Sequence, residues 1–291
     1  MEDRVALVCG RRIEEVDAAG LRAWMRRYDV VVVDLGTGDG RWLYRLARSH
    51  PAVLCLGIDA NAGALRDVSY RASRKSARGG LPNVRFIAVP LEALPRGLQT
   101  VADEVWVMFP WGSLLRAVLR PEPSLLRGFA GILKPQGVLR VAINESVLGQ
   151  PSILGKMGIA AHSPQGLYGA LRAGYNEAGL TITGCRHGAA RVRSSWGGRL
   201  GQGADLRTLW VEAVKHGDGR DHGRGRNRAG AAGSGAPGPA ARCDRHPAVV
   251  PVLRSESREP SPDEQSRGVR GGGSDAPLRR RAESGDYYPR R

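Results

Sequence analysis

At 291 residues the chain has room for one large domain or two small ones, and 42% of it is hydrophobic, enough for a sizeable core. Its formal charge of +16 and sequence pI near 10.7 point to a polyanionic partner. No apolar run approaches the roughly 20 residues of a membrane span, and neither the four cysteines nor the six histidines show metal-ligand or CxxC spacing, so no membrane association, metal site or redox pair is expected.

The opening MEDRVALVCG lacks the basic head and apolar stretch of a signal peptide, which predicts a cytoplasmic protein. Ala6–Val16 reads as a small hairpin turning at Gly10, followed by a helical pattern over Asp17–Arg27. From there short β-branched runs alternate with helical patterns, as in a parallel α/β sheet. Strands are predicted at Val30–Asp34, Val53–Asp59, Val84–Val89, Glu104–Phe109, Val138–Asn144, Leu180–Cys185 and Thr208–Val214. Helical patterns cover Arg41–Arg48, Ala62–Ser76, Pro123–Leu133 and Gln165–Ala178, and Lys134-Pro135-Gln136-Gly137 is a turn that stops a helix and launches the next strand. Cys55 and Cys185 lie in strand-like runs and read as core thiols. Seven strands with helices between them suit a doubly wound sheet. The expected organisation is a hairpin extension (1–16), an α/β body (17–216) and a tail (217–291).

The tail is rich in Gly, Arg, Pro, Ala and Ser, without apolar periodicity except AVVPVL near Val249, and is expected to be disordered. It holds 15 Arg against 10 Asp plus Glu, about +5; the body keeps 16 − 5 = 11 positive charges and is basic in its own right.

The strongest motif is Val31-Val32-Val33-Asp34-Leu35-Gly36-Thr37-Gly38-Asp39-Gly40, where a buried strand ends in an acid and glycines let the backbone turn tightly before a helix. It is not the GxGxxG dinucleotide fingerprint. The D-x-G-x-G-x-G spacing resembles the first motif of class I methyltransferases, which implies S-adenosyl-L-methionine (AdoMet) as cofactor; a nucleotide-sugar or nicotinamide site is the less natural alternative. Asp34, Gly36, Thr37, Gly38 and Asp39 would then receive the amino acid end of AdoMet, with carboxylates for its ammonium. Asp59 closes the second strand, placed to accept hydrogen bonds from both ribose hydroxyls, or else simply to cap the following helix. Glu92, in the loop after the third strand, is expected beside the adenine, as is usual in that class.

After the fourth strand comes Phe109-Pro110-Trp111-Gly112-Ser113-Leu114-Leu115. Together with DLGTGDGR and Gly79-Gly80-Leu81-Pro82-Asn83-Val84, it resembles the aminoglycoside-resistance ribosomal RNA methyltransferases. More narrowly it is similar to the kanamycin–apramycin resistance group, which modifies N1 of adenine 1408 in 16S rRNA. The likeness runs from the hairpin to about Val214, is weak between Glu145 and Gln165, and leaves out the tail. It implies a Rossmann-like class I fold and a target adenine held between Trp111 and Trp196, with Pro110 and its neighbours holding the base edge through backbone groups and Ser194 assisting. N1 lies on the Watson–Crick edge, so the nucleotide must be flipped out. Stacking is worth about 1–3 kcal/mol per base, and the indole faces suit the positive charge that methylation creates. N1 already exposes a lone pair, so no general base is assigned. Trp24, Trp42 and Trp210 lie in regular segments and are expected to be packing residues.

Arg71, Arg74, Lys75 and Arg78 fall where the family meets the rRNA backbone, although a solvated basic helix face would look the same. Arg199 and Arg207 are further candidates for RNA contact. The stretch before Arg207 is less basic than in several relatives, and Arg207 stands one place off the expected arginine. The implied partner is 16S rRNA in the 30S subunit, met by a monomer. Two other readings stay open: guanine-N7 methylation of tRNA or rRNA, and a noncatalytic AdoMet-binding RNA module.

Overall fold

The alternating apolar runs assemble into a nine-stranded sheet in this computed structural model, which describes residues 4–120, 123–156, 158, 164–189 and 207–217. The strands are β1 (Arg4–Cys9), β2 (Arg12–Asp17), β3 (Val30–Leu35), β4 (Val53–Asp59), β5 (Val84–Ala88), β6 (Ala102–Met108), β7 (Leu133–Asn144), β8 (Leu180–Ala189) and β9 (Arg207–Lys215), in the order β2-β1-β5-β4-β3-β6-β7-β9-β8. The five central strands, β5 to β7, pair in parallel. An antiparallel pair flanks them on either side. The run VVVVDL of β3 is buried almost throughout, as a strand covered on both faces requires. RIEEVD of β2 stands mostly exposed at the edge, where charge discourages pairing with another chain.

The expected seven strands become nine because the hairpin is not separate from the sheet. β1 adds antiparallel to β5 with Leu7 opposite Ile87, and Val5 is wholly buried. The helices are α1 (Ala18–Met25), α2 (Arg41–Ser49), α3 (Arg66–Ala72), α4 (Gly112–Leu119), α5 (Pro123–Ile132), α6 (Glu145–Leu148), α7 (Pro151–Lys156) and α8 (Pro164–Glu177). α3 is shorter than the predicted 62–76. At its start the Asn61 side chain accepts from Ala64 N–H and holds a turn, and beyond its end Lys75 is extended. The Lys134–Gly137 turn exists, but inside β7: Ala102 pairs with Leu133 and Glu104 with Val138, and the extra residues bulge out with Gln136 at φ +65°. α4 went unpredicted because its glycine and serine start reads as loop. Burial of Leu114, Leu115, Ala117, Val118 and Leu119 holds it.

Cys55 is buried as expected, and burial pushes its thiol up. Cys185 is exposed instead, because β8 is an edge strand with one face to solvent. Trp42, Trp106 and Trp210 pack in a row across one sheet face, with centroids 5.5 and 6.5 Å apart, and Trp24 stacks edge-on to Tyr28. No helix among the described residues is long and apolar enough to cross a membrane.

Candidate active site

β3 and β4 run side by side in parallel and end together, with Asp34 level with Gly57, so the acids that close them converge at one end of the sheet. The glycine loop folds back over that end: Gly36 and Thr37 N–H both donate to Ile58 C=O, at 2.8 and 3.1 Å. Gly36 takes φ +70°, and a Cβ there would lie 2.5 Å from Leu114 Cδ2, so both conformation and space demand glycine. Asp34 is 2% exposed. Its Oδ2 accepts from Thr37 Oγ1 at 2.6 Å, while its buried Oδ1 has no partner. Burial raises its pKa to about 7 against the Thr37 hydrogen bond, with a further push from nearby Asp59. A buried carboxylate oxygen left without a donor, beside a turn that leaves backbone exposed, fits the ammonium of an AdoMet amino acid end.

Asp59 does not cap α3, which begins only at Arg66 with Leu65 at its N-cap. Asp59 Oδ1 accepts from Asn61 N–H and Oδ2 from Gly38 N–H, each at 2.8 Å, so it steers the chain out of β4 and ties the glycine loop to that strand. Each oxygen retains a lone pair for a ribose hydroxyl. Asp39 turns toward α2, where Oδ1 accepts from Arg41 N–H at 3.2 Å and Oδ2 lies 3.5 Å from Arg41 Nε. Glu92 is exposed in a short turn after β5, on the same end of the sheet.

The second half of the site stands at the end of β6. Phe109, buried, adopts φ +50°, a conformation a bulky side chain takes only under constraint, and its N–H donates to Ala142 C=O at 2.8 Å. Pro110 follows, buried, and Trp111 leaves in extended conformation with 40% of its surface exposed. Gly112 returns at φ +57° with nothing near its missing Cβ, so it is needed for the turn alone. Leu114 packs on Gly36 and so joins the Trp111 turn to the glycine loop. The turn that carries Pro110 and Trp111 is thereby fastened to the glycine loop at Gly36.

Ser194, Trp196 and Arg199 lie outside the described residues. The strands on either side of that stretch, β8 and β9, meet the end of β7 through Glu145, which the sequence reading passed over within its weak patch. Glu145 Oε1 lies 2.8 Å from His187 Nδ1, and Oε2 lies 3.8 Å from Arg207 Nε. An acid directly after a parallel strand was the available signal. Arg207 is thus gathered to the same end of the sheet. The basic residues predicted between β4 and β5 fall on and after α3. From Asp59 the chain follows α3 and returns to the start of β5, where Leu81 N–H donates to Ala72 C=O, so Arg74, Lys75 and Arg78 are exposed along one flank. Arg71 lies over the Tyr44 ring at 4.9 Å, and Tyr44 Oη donates to Gly79 C=O, so this arginine also steadies the turn behind it.

A parallel five-stranded centre and a glycine loop between two strand-end acids define a class I AdoMet-dependent methyltransferase. The chain matches the 16S rRNA (adenine(1408)-N(1))-methyltransferase (NpmA) family over residues 6–215, and it belongs to that family. It is 36% identical over 203 residues to a 16S rRNA (adenine(1408)-N(1))-methyltransferase of Streptoalloteichus hindustanus, covering 68% of this chain and 93% of the relative. The crystal structure of the aminoglycoside resistance methyltransferase NpmB1 superposes with a TM-score of 0.66 at 34% identity, over 72% of this chain and 99% of that one. A variant of the Catenulisporales acidiphilia 16S rRNA (adenine(1408)-N(1))-methyltransferase with cosubstrate SAM superposes with a TM-score of 0.68 at 32% identity, over 75% and 99%. A tRNA (guanine-N(7)-)-methyltransferase of Christiangramia forsetii aligns over 115 residues at 25% identity, covering 38% of this chain. The expected fold class, enzyme class and cofactor hold: the protein is an AdoMet-dependent RNA methyltransferase acting on rRNA.

Proposed function

We propose that the protein methylates N1 of adenine 1408 in 16S rRNA within the assembled 30S subunit, and that this modification protects the ribosome from aminoglycosides. The observation that carries the reading is Trp111, an indole 40% exposed on a constrained turn and joined through Leu114 to the AdoMet loop. An exposed indole carried on a constrained turn at that place is suited to stack on a base presented from outside. Guanine-N7 methylation is the lesser reading, because its relatives align over 82 to 156 residues, against 203 and 202 for the two longest adenine-N1 matches.

AdoMet, when bound, supplies a methyl group on a sulfonium. Asp34 would hold its ammonium through the unpartnered Oδ1, Asp59 its ribose and Glu92 the side of its adenine. On the acceptor side Pro110 and Trp111 hold the flipped adenine, with Trp196 as the facing wall and Ser194 at the base edge. No residue needs to remove a proton before transfer, since neutral N1 has a free lone pair. The protein's contribution is to keep that nitrogen in line with the methyl group and to place an indole face beside the charge that forms. Arg71, Arg74, Lys75, Arg78, Arg199 and Arg207 set the register of the rRNA backbone. The enzyme works as a monomer in the cytoplasm, with 1–16 as a hairpin extension, 17–216 as the catalytic domain and 217–291 as a tail outside it.

The test is methyl transfer from labelled AdoMet to purified bacterial 30S subunits, with primer extension to locate the product. A stop at position 1408 is expected. AdoMet binding without label in 30S subunits would overturn the ribosomal assignment, and label in tRNA would redirect it.

A further inference from the structure

Tyr70 on α3 is 61% exposed, the most exposed large hydrophobic side chain among the described residues. Its seat is nevertheless well defined. Gly10, at the tip of the β1–β2 hairpin, lies against it: a Cβ on Gly10 would come 3.2 Å from Tyr70 Cβ and 3.4 Å from its ring. Gly10 adopts φ +60°, and its N–H donates at 2.9 Å to the hydroxyl of buried Ser69, which donates in turn to Arg66 C=O. The hairpin tip and the helix are therefore fastened together, with the tyrosine seated between them and most of its surface in solvent.

The surroundings are basic. Arg66 stands four residues before Tyr70 on the same stripe of α3, Arg74 lies in the turn after the helix, and Arg11 is at the hairpin tip; all three are exposed. Among the exposed residues of the hairpin and α3, Arg4, Arg11, Arg12, Arg66 and Arg71 stand against Glu14, Glu15, Asp17 and Asp67, and Arg74 and Lys75 follow the helix, so cations predominate. The patch is also distant from the methyl-transfer chemistry. β1 runs antiparallel to β5, which places Gly10 level with the start of β5, whereas Asp59 ends the adjacent strand. The four steps from Val84 to Ala88 along β5 separate the two levels by roughly 13 Å. One nucleotide cannot reach both, but a folded RNA can.

We propose that Tyr70, with Arg11, Arg66 and Arg74, is a second RNA contact remote from the target base. An unpaired base of the small-subunit rRNA stacks on the ring, and its flanking phosphates meet the arginines. The inference rests on the ribosomal substrate proposed above and extends the basic flank of Arg74, Lys75 and Arg78 to the N-terminal hairpin. Its physical basis is the pairing of a held aromatic surface, which any base can stack on, with cations that fix register. An aromatic ring that leaves most of its surface in solvent gains little for the fold.

The experiment is binding of the full chain to purified 30S subunits across a salt series. Tyr70→Ala is expected to weaken binding about tenfold, Tyr70→Phe to bind as wild type, and Arg11→Ala to lower the slope of log affinity against log salt by about 1. AdoMet affinity should not move in any of the three, which shows the domain intact. If the wild type fails to methylate 30S subunits, the ribosomal reading itself fails. If it methylates normally while Tyr70→Ala binds as tightly as wild type, this contact alone is overturned. A loss with Tyr70→Ala accompanied by an unchanged salt slope in Arg11→Ala also overturns it, and points to a ribosomal protein at this patch.

Discussion

The two halves of the site are built on opposite principles. At the ends of β3 and β4, Asp34 is 2% exposed, and the loop that covers it is bonded to Ile58 and Asp59. At the end of β6, Trp111 is 40% exposed, on a backbone held by the Phe109 turn and the start of α4. A small cofactor can be surrounded by one chain, and its charged end requires groups placed in advance in a dry pocket. A base delivered on a folded RNA must enter from outside, and under the proposed function an open indole is the surface that would receive it. The difference teaches where each kind of binding energy is stored: in orientation of polar groups on one side, in unburied aromatic surface on the other.

The largest effect expected from breaking this comparison is at Trp111. Trp111→Ala should lower kcat/KM on 30S subunits about 100-fold, since stacking alone accounts for roughly 1–3 kcal/mol per base. Calorimetric AdoMet affinity should stay at the wild-type value, and a parallel loss would show that the halves are not separable. Next is Asp59→Asn, for which AdoMet affinity should fall about 30-fold, because hydrogen bonds to a charged group are worth roughly 1.5–3 kcal/mol. Affinity for 30S subunits should be unaffected, and a loss there would merge the two regions.

A smaller effect sharpens the cofactor side. Asp34 has its pKa raised to about 7, so the unliganded protein holds it protonated below that value, whereas an ammonium partner favours the ionised form. AdoMet affinity should therefore rise about tenfold from pH 6 to pH 7.5 and flatten above, with Asp34→Asn removing the dependence. The linked stability has the sign of a raised carboxyl: stability of the unliganded protein is highest below the ordinary Asp pKa near 3.8 and declines as pH rises toward about 7. Urea midpoints measured across that window check the sign. The smallest effect concerns Glu145, whose partners His187 and Arg207 are 67% and 89% exposed. Glu145→Gln should lower Tm by no more than about 4 °C, as exposed ion pairs contribute about 0–1 kcal/mol; a larger drop would mean that this carboxylate is what holds β7, β8 and β9 together at the site.

Much of the cofactor half was legible in the sequence because its requirements are local. Asp34, Gly36, Thr37 and Gly38 lie within five consecutive residues of one strand-to-helix turn, and Asp59 ends the next strand. Trp111 was legible for a similar reason, since Pro110 and Gly112 mark a turn where an indole is not easily buried. Glu145 and Leu114 were not, because each acts through residues far away in the chain: His187 and Arg207 for one, Gly36 for the other. The shortened α3 was missed for want of the Asn61 side-chain bond, and Cys185 because a strand's apolar run does not disclose that the strand will lie at an edge.

By itself the sequence determined the strand-and-helix alternation, the glycine turn, the two strand-end acids, the exposed tryptophan and the family. All of these follow from spacing along a few residues, where backbone geometry and side-chain period act directly. Only the tertiary structure decided that the hairpin joins the sheet beside β5, that Tyr70 is seated on Gly10, that Asp34 keeps an oxygen without a donor, and that Leu114 ties the base platform to the cofactor loop. Each of these depends on which distant segments share a surface, and burial and close packing are properties of that shared surface, not of either segment alone.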